Sequence, residues 1–273
     1  MRVLVTGGAG FVGTNLIKRL LKDGHEVISV DNYSTGKYKN QQKGCDYYQR
    51  DLSNSYWWSL VDECLCEVTC ECSIKPVDII YHLAARARIV PSFEDPISTF
   101  KSNALATQNV LEWARKHNTP VIYAGTSSIH GDKYSNPYTF TKHQGEELIN
   151  LYGKTFNLPT VICRFYNVYG PHQLTEGDYC CVLGIFERQF IKGEPLTITG
   201  DGEQRRDFTH VDDIVDGLIR CGESIDEVSG EVFELGRGKN YSINEIANGF
   251  ENYPTKYIDA RPGEIKITLN KDT

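Results

Sequence analysis

The stretch Thr6-Gly7-Gly8-Ala9-Gly10-Phe11-Val12-Gly13 decides the architecture, because the hydrophobic period of the chain changes across it. Before it, Arg2-Val3-Leu4-Val5 is a short apolar run of strand type. After it, Leu16, Ile17, Leu20 and Leu21 recur at helical spacing through 11–22. Within the turn, Gly7 permits a tight bend, Gly10 lets the backbone approach a pyrophosphate, and Gly13 allows the helix to pack closely. The helix start, at Phe11 and Val12, offers unpaired N–H groups and the positive end of its dipole to phosphates. A second strand over 26–30 ends at Asp31, followed by Asn32. A carboxylate there can accept hydrogen bonds from ribose hydroxyls and would repel a 2′-phosphate, which predicts NAD rather than NADP. The plain alternatives are a glycine-rich turn without a ligand and an aspartate that merely opens a turn. The strand, helix and downstream acid surrounding the motif weigh against both.

Outward from this turn the alternation continues. Strands are predicted at 46–50, 78–83, 121–125 and 160–165, and helices at 55–72, 97–117 and 138–156. Strands separated by helices imply an α/β fold, a doubly wound parallel sheet with helices on both faces. After Tyr169 the pattern shortens and is punctuated by Pro171, Gly177, Gly193, Pro195, Gly200 and Gly202. Residues 1–169 therefore read as a dinucleotide-binding domain, and 170–273 mainly as a smaller substrate-binding lobe with some elements returning to the sheet. The 273 residues suffice for such a core plus a lobe, and a net charge of -7 argues against general nucleic-acid binding. Met1 runs straight into the first strand without a signal peptide, and no apolar run is long enough to span a bilayer, which predicts a cytoplasmic protein. The nine cysteines read as free thiols. Four of them, Cys64, Cys66, Cys70 and Cys72, are crowded, but their C-x-C spacing does not match structural zinc, so no metal is predicted.

The chemistry centres on Tyr138 and Lys142, four apart on one helix face. A nearby ammonium favours a phenolate, which predicts a lowered Tyr138 pKa and a general base for a sugar hydroxyl. Alone, Y-x-x-x-K is a weak signal. It gains weight from the strand ending Gly125-Thr126-Ser127-Ser128, whose hydroxyls can reach the same reacting oxygen.

Together these features resemble the extended short-chain dehydrogenase/reductase family, with its Rossmann-type sheet. Four further stretches resemble its nucleotide-sugar epimerase/dehydratase branch: His82-Leu83-Ala84-Ala85, Arg164-Phe165-Tyr166-Asn167-Val168-Tyr169-Gly170-Pro171, Gly200-Asp201-Gly202-Glu203-Gln204-Arg205-Arg206-Asp207-Phe208 and Arg261-Pro262-Gly263-Glu264. The resemblance implies that Asp51 and Leu52 lie by the adenine, that Leu83, Ala84 and Ala85 line the cofactor cleft, and that Asn103 and Tyr166 help to seat the cofactor. It implies Thr126, Tyr138 and Lys142 as the catalytic set, with Lys142 also on the nicotinamide ribose. Arg86, Ser127, Asn167 and Arg206 are expected on the sugar-nucleotide, with Arg261 and Glu264 near its base. Guanidinium groups suit the diphosphate because of their planar donor fork. The family further implies a homodimer built on the helices at 97–117 and 138–156.

Ser127 and Ser128 stand where dehydratases of the branch carry Asp-Glu and decarboxylases carry Ser-Glu, which favours epimerisation at C4 of a UDP-sugar over those reactions. Thr268, small where an aromatic would exclude an N-acetyl group, predicts acceptance of UDP-N-acetylglucosamine beside UDP-glucose. The chain departs from the branch in a short stretch between Gly131 and Tyr138, in His130 where a tyrosine is usual, and in ending soon after Glu264, short of a further helix. A non-catalytic NAD-binding regulator is the reading from another class.

Overall fold

The computed structural model describes residues 1–58, 74–251, 253–260 and 266–270. The predicted helix at 55–72 with its four cysteines falls largely outside these residues, as do Arg261 and Glu264. The chain runs β1 (Arg2–Thr6), α1 (Phe11–Lys22), β2 (Glu26–Asp31), β3 (Cys45–Gln49), β4 (Ile79–His82), α2 (Ile89–Glu94), α3 (Pro96–Phe100), α4 (Ala106–His117), β5 (Val121–Thr126), α5 (Pro137–Phe156) and β6 (Thr160–Phe165). It continues through β7 (Val168–Tyr169), α6 (Val182–Lys192), β8 (Leu196–Thr199), β9 (Arg205–Asp207), β10 (Thr209–His210), α7 (Val211–Glu223), α8 (Ile225–Val228), β11 (Val232–Leu235), β12 (Asn240–Ser242), α9 (Ile243–Asn248) and β13 (Thr255–Ile258).

Seven strands form one parallel sheet in the order β11-β6-β5-β4-β1-β2-β3. The order reverses between β1 and β4, and a crevice at the carboxyl ends of such neighbouring strands is where α/β sheets bind ligands. Leu16, Ile17 and Leu20 of α1 and Ile214, Val215 and Leu218 of α7 cover one face. Val110, Leu111 and Trp113 of α4 and Ile149 and Tyr152 of α5 cover the other. Both faces being buried explains why β1, β4 and β5 are almost uninterrupted apolar runs. A separate small core, with Phe186, Leu196, Ile198, Phe208, Ile243 and Ala247, lies where α6, β8 and α9 meet. No helix among the described residues is long and apolar enough to cross a membrane. The five described cysteines, Cys45, Cys163, Cys180, Cys181 and Cys221, are free thiols.

The helix predicted over 97–117 is interrupted by one π-helical turn, Lys101–Leu105, between α3 and α4. Backbone conformation stays right-handed throughout it. Single π turns inside helices tend to occur at functional sites, and this one carries the buried Asn103.

Candidate active site

The crevice is a cleft of about 700 Å³ at the switch point, running from the glycine turn to the small core of α6, β8 and α9. Its first wall follows from the quoted sequence. Gly7 turns at φ +72°, a conformation L side chains rarely adopt, and its N–H donates to the Val30 carbonyl at 2.8 Å. A Cβ on Gly13 would stand 2.3 Å from the Gly7 carbonyl oxygen, so only glycine lets α1 start this close to the turn. Asp31, 7 % exposed, accepts from Ala9 N at 2.9 Å and Tyr33 N at 2.8 Å. Burial pushes its carboxyl above the usual range, against those two bonds. One bond to each oxygen leaves further lone pairs for ribose hydroxyls. Thr6 stitches β1 to the exit of β4: its hydroxyl pairs with His82 Nδ1 at 2.7 Å and accepts from Leu83 N at 3.1 Å and Ala84 N at 3.2 Å.

The second wall carries the reactive groups. Asn136 caps α5 by accepting from Thr139 N at 2.8 Å, and Pro137 follows at the first turn, so Tyr138 sits at the helix mouth. The Tyr138 hydroxyl donates to Thr126 Oγ1 at 3.2 Å. Thr126 ends β5, and its Oγ1 also accepts from Ser128 N at 3.3 Å. One turn along α5, Lys142 is 3 % exposed, donates to the Ala124 carbonyl at 2.5 Å and lies 4.1 Å from the Tyr123 ring centre. Burial pulls its ammonium down to about 7, while Glu146 opposes the shift.

Tyr138 corrects an expectation. Its phenol is raised rather than lowered, chiefly by burial and also by the Glu146 charge, with the Thr126 bond and the Arg88 charge acting the other way. Desolvation of the phenolate outweighs the favourable charges around it.

The lobe side contributes Asn167, whose amide donates to the Asp207 carbonyl at 3.1 Å and to Thr268 Oγ1 at 3.0 Å. Arg206 sits on β9, which pairs with β12, and its guanidinium donates to the Arg205 carbonyl at 2.9 Å. Behind them the fully buried Asp207 carboxylate accepts from Arg237 N at 3.0 Å, Gly238 N at 2.9 Å and Asn270 N at 3.2 Å, fixing this side of the cleft.

The cleft therefore gathers Gly7, Gly10, Phe11, Val12, Gly13, Asp31, Asn32, Asp51, Leu52, Leu83, Ala84, Ala85, Thr126, Ser127, Tyr138, Lys142, Asn167, Arg206 and Thr268 from the sequence expectations. Three predicted residues lie elsewhere. Arg86 pairs with Asp95 at 3.1 Å instead of facing the cleft. Asn103, 1 % exposed, uses its amide on the Arg86 backbone at 2.8 and 3.1 Å and on Thr141 Oγ1 at 3.0 Å, so it shapes the loop behind the cleft. Tyr166 is 2 % exposed, and its N–H is taken by the Leu235 carbonyl at 3.3 Å. Conversely, the cleft includes Arg88, which the sequence leaves unassigned. Its guanidinium is held by the Tyr179 carbonyl at 2.9 Å and its neighbour Ala87 at 3.0 Å. The signal for Arg88 is present in the sequence only as a second arginine two residues on; Asp95 decides which one turns inward.

The profile of the NAD dependent epimerase/dehydratase family matches residues 3–236. The chain belongs to that family. It is 32% identical over 272 residues to an uncharacterised UDP-glucose epimerase of Bacillus subtilis, covering 92% of this chain and 82% of that one. A UDP-glucuronic acid decarboxylase of Xenopus tropicalis is 33% identical over 90% of this chain and 58% of its own length. Among solved structures, the UDP-glucose 4-epimerase of Thermus thermophilus in complex with NAD superposes with a TM-score of 0.85 at 28% identity, over 98% of this chain and 90% of that one.

NAD is the cofactor of this family, and the cleft fits it. Cβ atoms on Gly7 and Gly13 would lie 2.9 Å and 2.3 Å from backbone atoms, so the turn is kept bare where a dinucleotide needs close approach. Asp31 ends β2 with lone pairs to spare for ribose hydroxyls.

Proposed function

We propose that the protein epimerises a UDP-hexose at C4, taking UDP-glucose and UDP-N-acetylglucosamine through a 4-keto sugar. The observation that carries this reading is the Tyr138–Thr126 hydroxyl pair at 3.2 Å, which lines the same cleft as Lys142 and the glycine turn. Gly7, Gly10, Gly13, Asp31, Asp51 and Lys142 would hold the cofactor. Bound NAD supplies a hydride acceptor and donor that is regenerated each cycle.

Tyr138, as phenolate, takes the proton from the sugar 4-hydroxyl, and its phenol returns one after the keto sugar has turned in the pocket. Thr126 orients that oxygen, and its hydroxyl favours the phenolate by donating across the same contact once the Tyr138 proton has left. Arg88 adds positive charge on the same side. Asn167 and Arg206 hold the diphosphate, with Arg261 and Glu264 on the nucleotide. Ser127 and Ser128 present hydroxyls beside Thr126, where a dehydratase or decarboxylase needs a carboxylate.

The work divides between residues 1–169 for the cofactor and mainly 170–273 for the substrate. A homodimer is proposed from the apolar side chains left exposed on the helices, Phe93, Ile97 and Phe100 at one end and Phe140 and Leu151 on α5. The deciding experiment is proton NMR of the protein with NAD and UDP-N-acetylglucosamine, then UDP-glucose. The galacto H4 and anomeric signals should appear with no net NADH. Loss of the C6 carboxylate from UDP-glucuronic acid, with no epimer from any neutral sugar, would replace this reading with decarboxylation. Silence across all of them would leave a binding protein.

A further inference from the structure

Behind Lys142 the structure holds a chain of charges that the reaction as described does not use. Glu146 lies one turn beyond Lys142 on α5 and is 2 % exposed. Arg164 of β6 grips it through Nε, at 3.2 Å and 3.1 Å from the two carboxylate oxygens, and through Nη2 at 2.7 Å. The same guanidinium reaches Glu234 of β11 at 2.9 Å, and Glu234 receives His130 Nε2 at 2.9 Å. Burial pushes Glu234 up, but the bonds from Arg164 and His130 outweigh it and hold its carboxyl below its usual range.

The placement relative to the catalytic strand is close. The Lys142 ammonium sits on the Ala124 carbonyl at 2.5 Å. At the next residue, a Cβ on Gly125 would stand 2.8 Å from Glu146 Oε1 and 2.9 Å from Arg164 Cγ. Ammonium and carboxylate thus press on adjacent residues of the strand end that presents Thr126. With Lys142 protonated, the row Lys142, Glu146, Arg164, Glu234, buried at its first two members and half-buried at the last two, sums to zero charge. With Lys142 neutral it carries an uncompensated negative charge in a low-dielectric interior, which is costly.

We propose that Glu146, clamped by Arg164, is the positioning residue that keeps the Lys142 ammonium charged and seated on the Ala124 carbonyl, so that the lysine can support the Tyr138 phenolate. This rests on Tyr138 acting as the base. The titratable and charged groups around Lys142 are Tyr138 and Glu146 on its own helix, Tyr123 on β5, His82 on β4 and Arg164 on β6. Tyr123 is pushed up and His82 down to about 3, both by burial, so neither supplies a charge near neutral pH. That leaves Glu146, one turn along α5, as the anion that favours the ammonium; its charge acts directly against the Tyr138 phenolate, so its help reaches the phenol only through Lys142.

The test is a titration of the NAD-loaded protein carrying ¹⁵N-labelled lysine side chains, with Lys142→Met assigning the Nζ signal, alongside the pH profile of kcat. In Glu146→Gln the Lys142 midpoint should fall by at least one pH unit, and the alkaline limb of kcat should move down with it. Glu146→Asp, which keeps the charge on a shorter arm, should fold even where the glutamine variant does not, and should give a smaller shift in the same direction. A midpoint within about 0.2 units of wild type in a folded variant would overturn the proposal, whatever happens to kcat. A shifted midpoint in a protein that turns over no sugar would uphold the charge pairing and sink the proposed reaction instead.

Discussion

Replacing Gly13 by alanine sets two opposed effects against each other. Gly13 lies inside α1, and alanine is favoured over glycine in a helix by about 1 kcal/mol. Propensity alone therefore predicts a more stable protein. The structure predicts the reverse, because the new Cβ would meet the Gly7 carbonyl oxygen at 2.3 Å, Gly8 Cα at 2.7 Å and the Gly7 carbonyl carbon at 3.0 Å. All three are backbone atoms, so no rotamer change relieves the contact. Reaching an ordinary C···O separation requires α1 and the turn to part by roughly 1 Å. Overpacking of this kind, backbone shift included, costs about 1–3 kcal/mol. The sum is a net loss of up to about 2 kcal/mol, or a Tm lower by up to roughly 4–8 °C at about 2–4 °C per kcal/mol for a chain of this size. The displaced turn is also the proposed pyrophosphate cradle, so NAD should bind at least tenfold more weakly, which corresponds to about 1.4 kcal/mol. Scanning calorimetry of the apo protein and calorimetric titration with NAD read both quantities. A raised Tm with unchanged NAD affinity would refute the packing argument and with it the assignment of the turn.

Three other outcomes are expected. Tyr138→Phe should keep its Tm and NAD affinity but lose about 10²–10⁴-fold in kcat, the range for removal of a general base; turnover within threefold of wild type would remove Tyr138 from the chemistry. His82, fully buried between Thr6 and Thr107, is depressed to about 3, so the folded state stays neutral while the unfolded chain takes up a proton near 6.5. Its contribution is fully present above pH 6.5 and is lost by about 1.4 kcal/mol per pH unit as pH falls toward 3; urea midpoints at pH 7.5, 5.5 and 4.5 should show a shallower acid slope in His82→Gln, and parallel slopes would contradict this. Thr268→Tyr should weaken use of UDP-N-acetylglucosamine well beyond that of UDP-glucose; because the Thr268 hydroxyl also bonds Asn167 and Asp207 N, some loss for both sugars is expected, and an equal loss would refute the gate.

The parts of the fold legible in the sequence are those whose periodicity is set by one strong gradient. β1 and α1 fall where an apolar run and helical spacing put them, because the strand is buried on both faces and the helix packs one face on the sheet. The cofactor wall followed for the same reason: a glycine turn between such elements has little freedom in what it can approach. The π turn at Lys101–Leu105 left no mark, since it interrupts the helical spacing by a single residue, and the contacts of Asn103 with the Arg86 backbone are made to a loop distant in sequence. Arg86 and Arg88 could not be told apart either, because a partner distant from the turn, Asp95, captures one of them. Asp207 was hidden inside a motif quoted for its arginines, although its carboxylate organises three backbone groups around Asn167 and Thr268.

The sign of the Tyr138 shift marks the limit of a local motif. Spacing reveals which charges are neighbours, but not how much water each has lost, and here burial of the phenol and of Lys142 is the larger effect on both. The influences that favour the phenolate come from separate elements, Thr126 at the end of β5 and Arg88 in the loop before α2, whereas Glu146, in front of β6 and β11, acts directly against it and helps only by holding Lys142 charged. No two of these are adjacent in sequence, so a tyrosine and lysine four apart become a base only when the whole sheet edge is assembled. A change that loosens β11 from β6, far from Tyr138, should therefore act on the base before it acts on the fold, because Glu234 is the last anion holding Arg164 against Glu146.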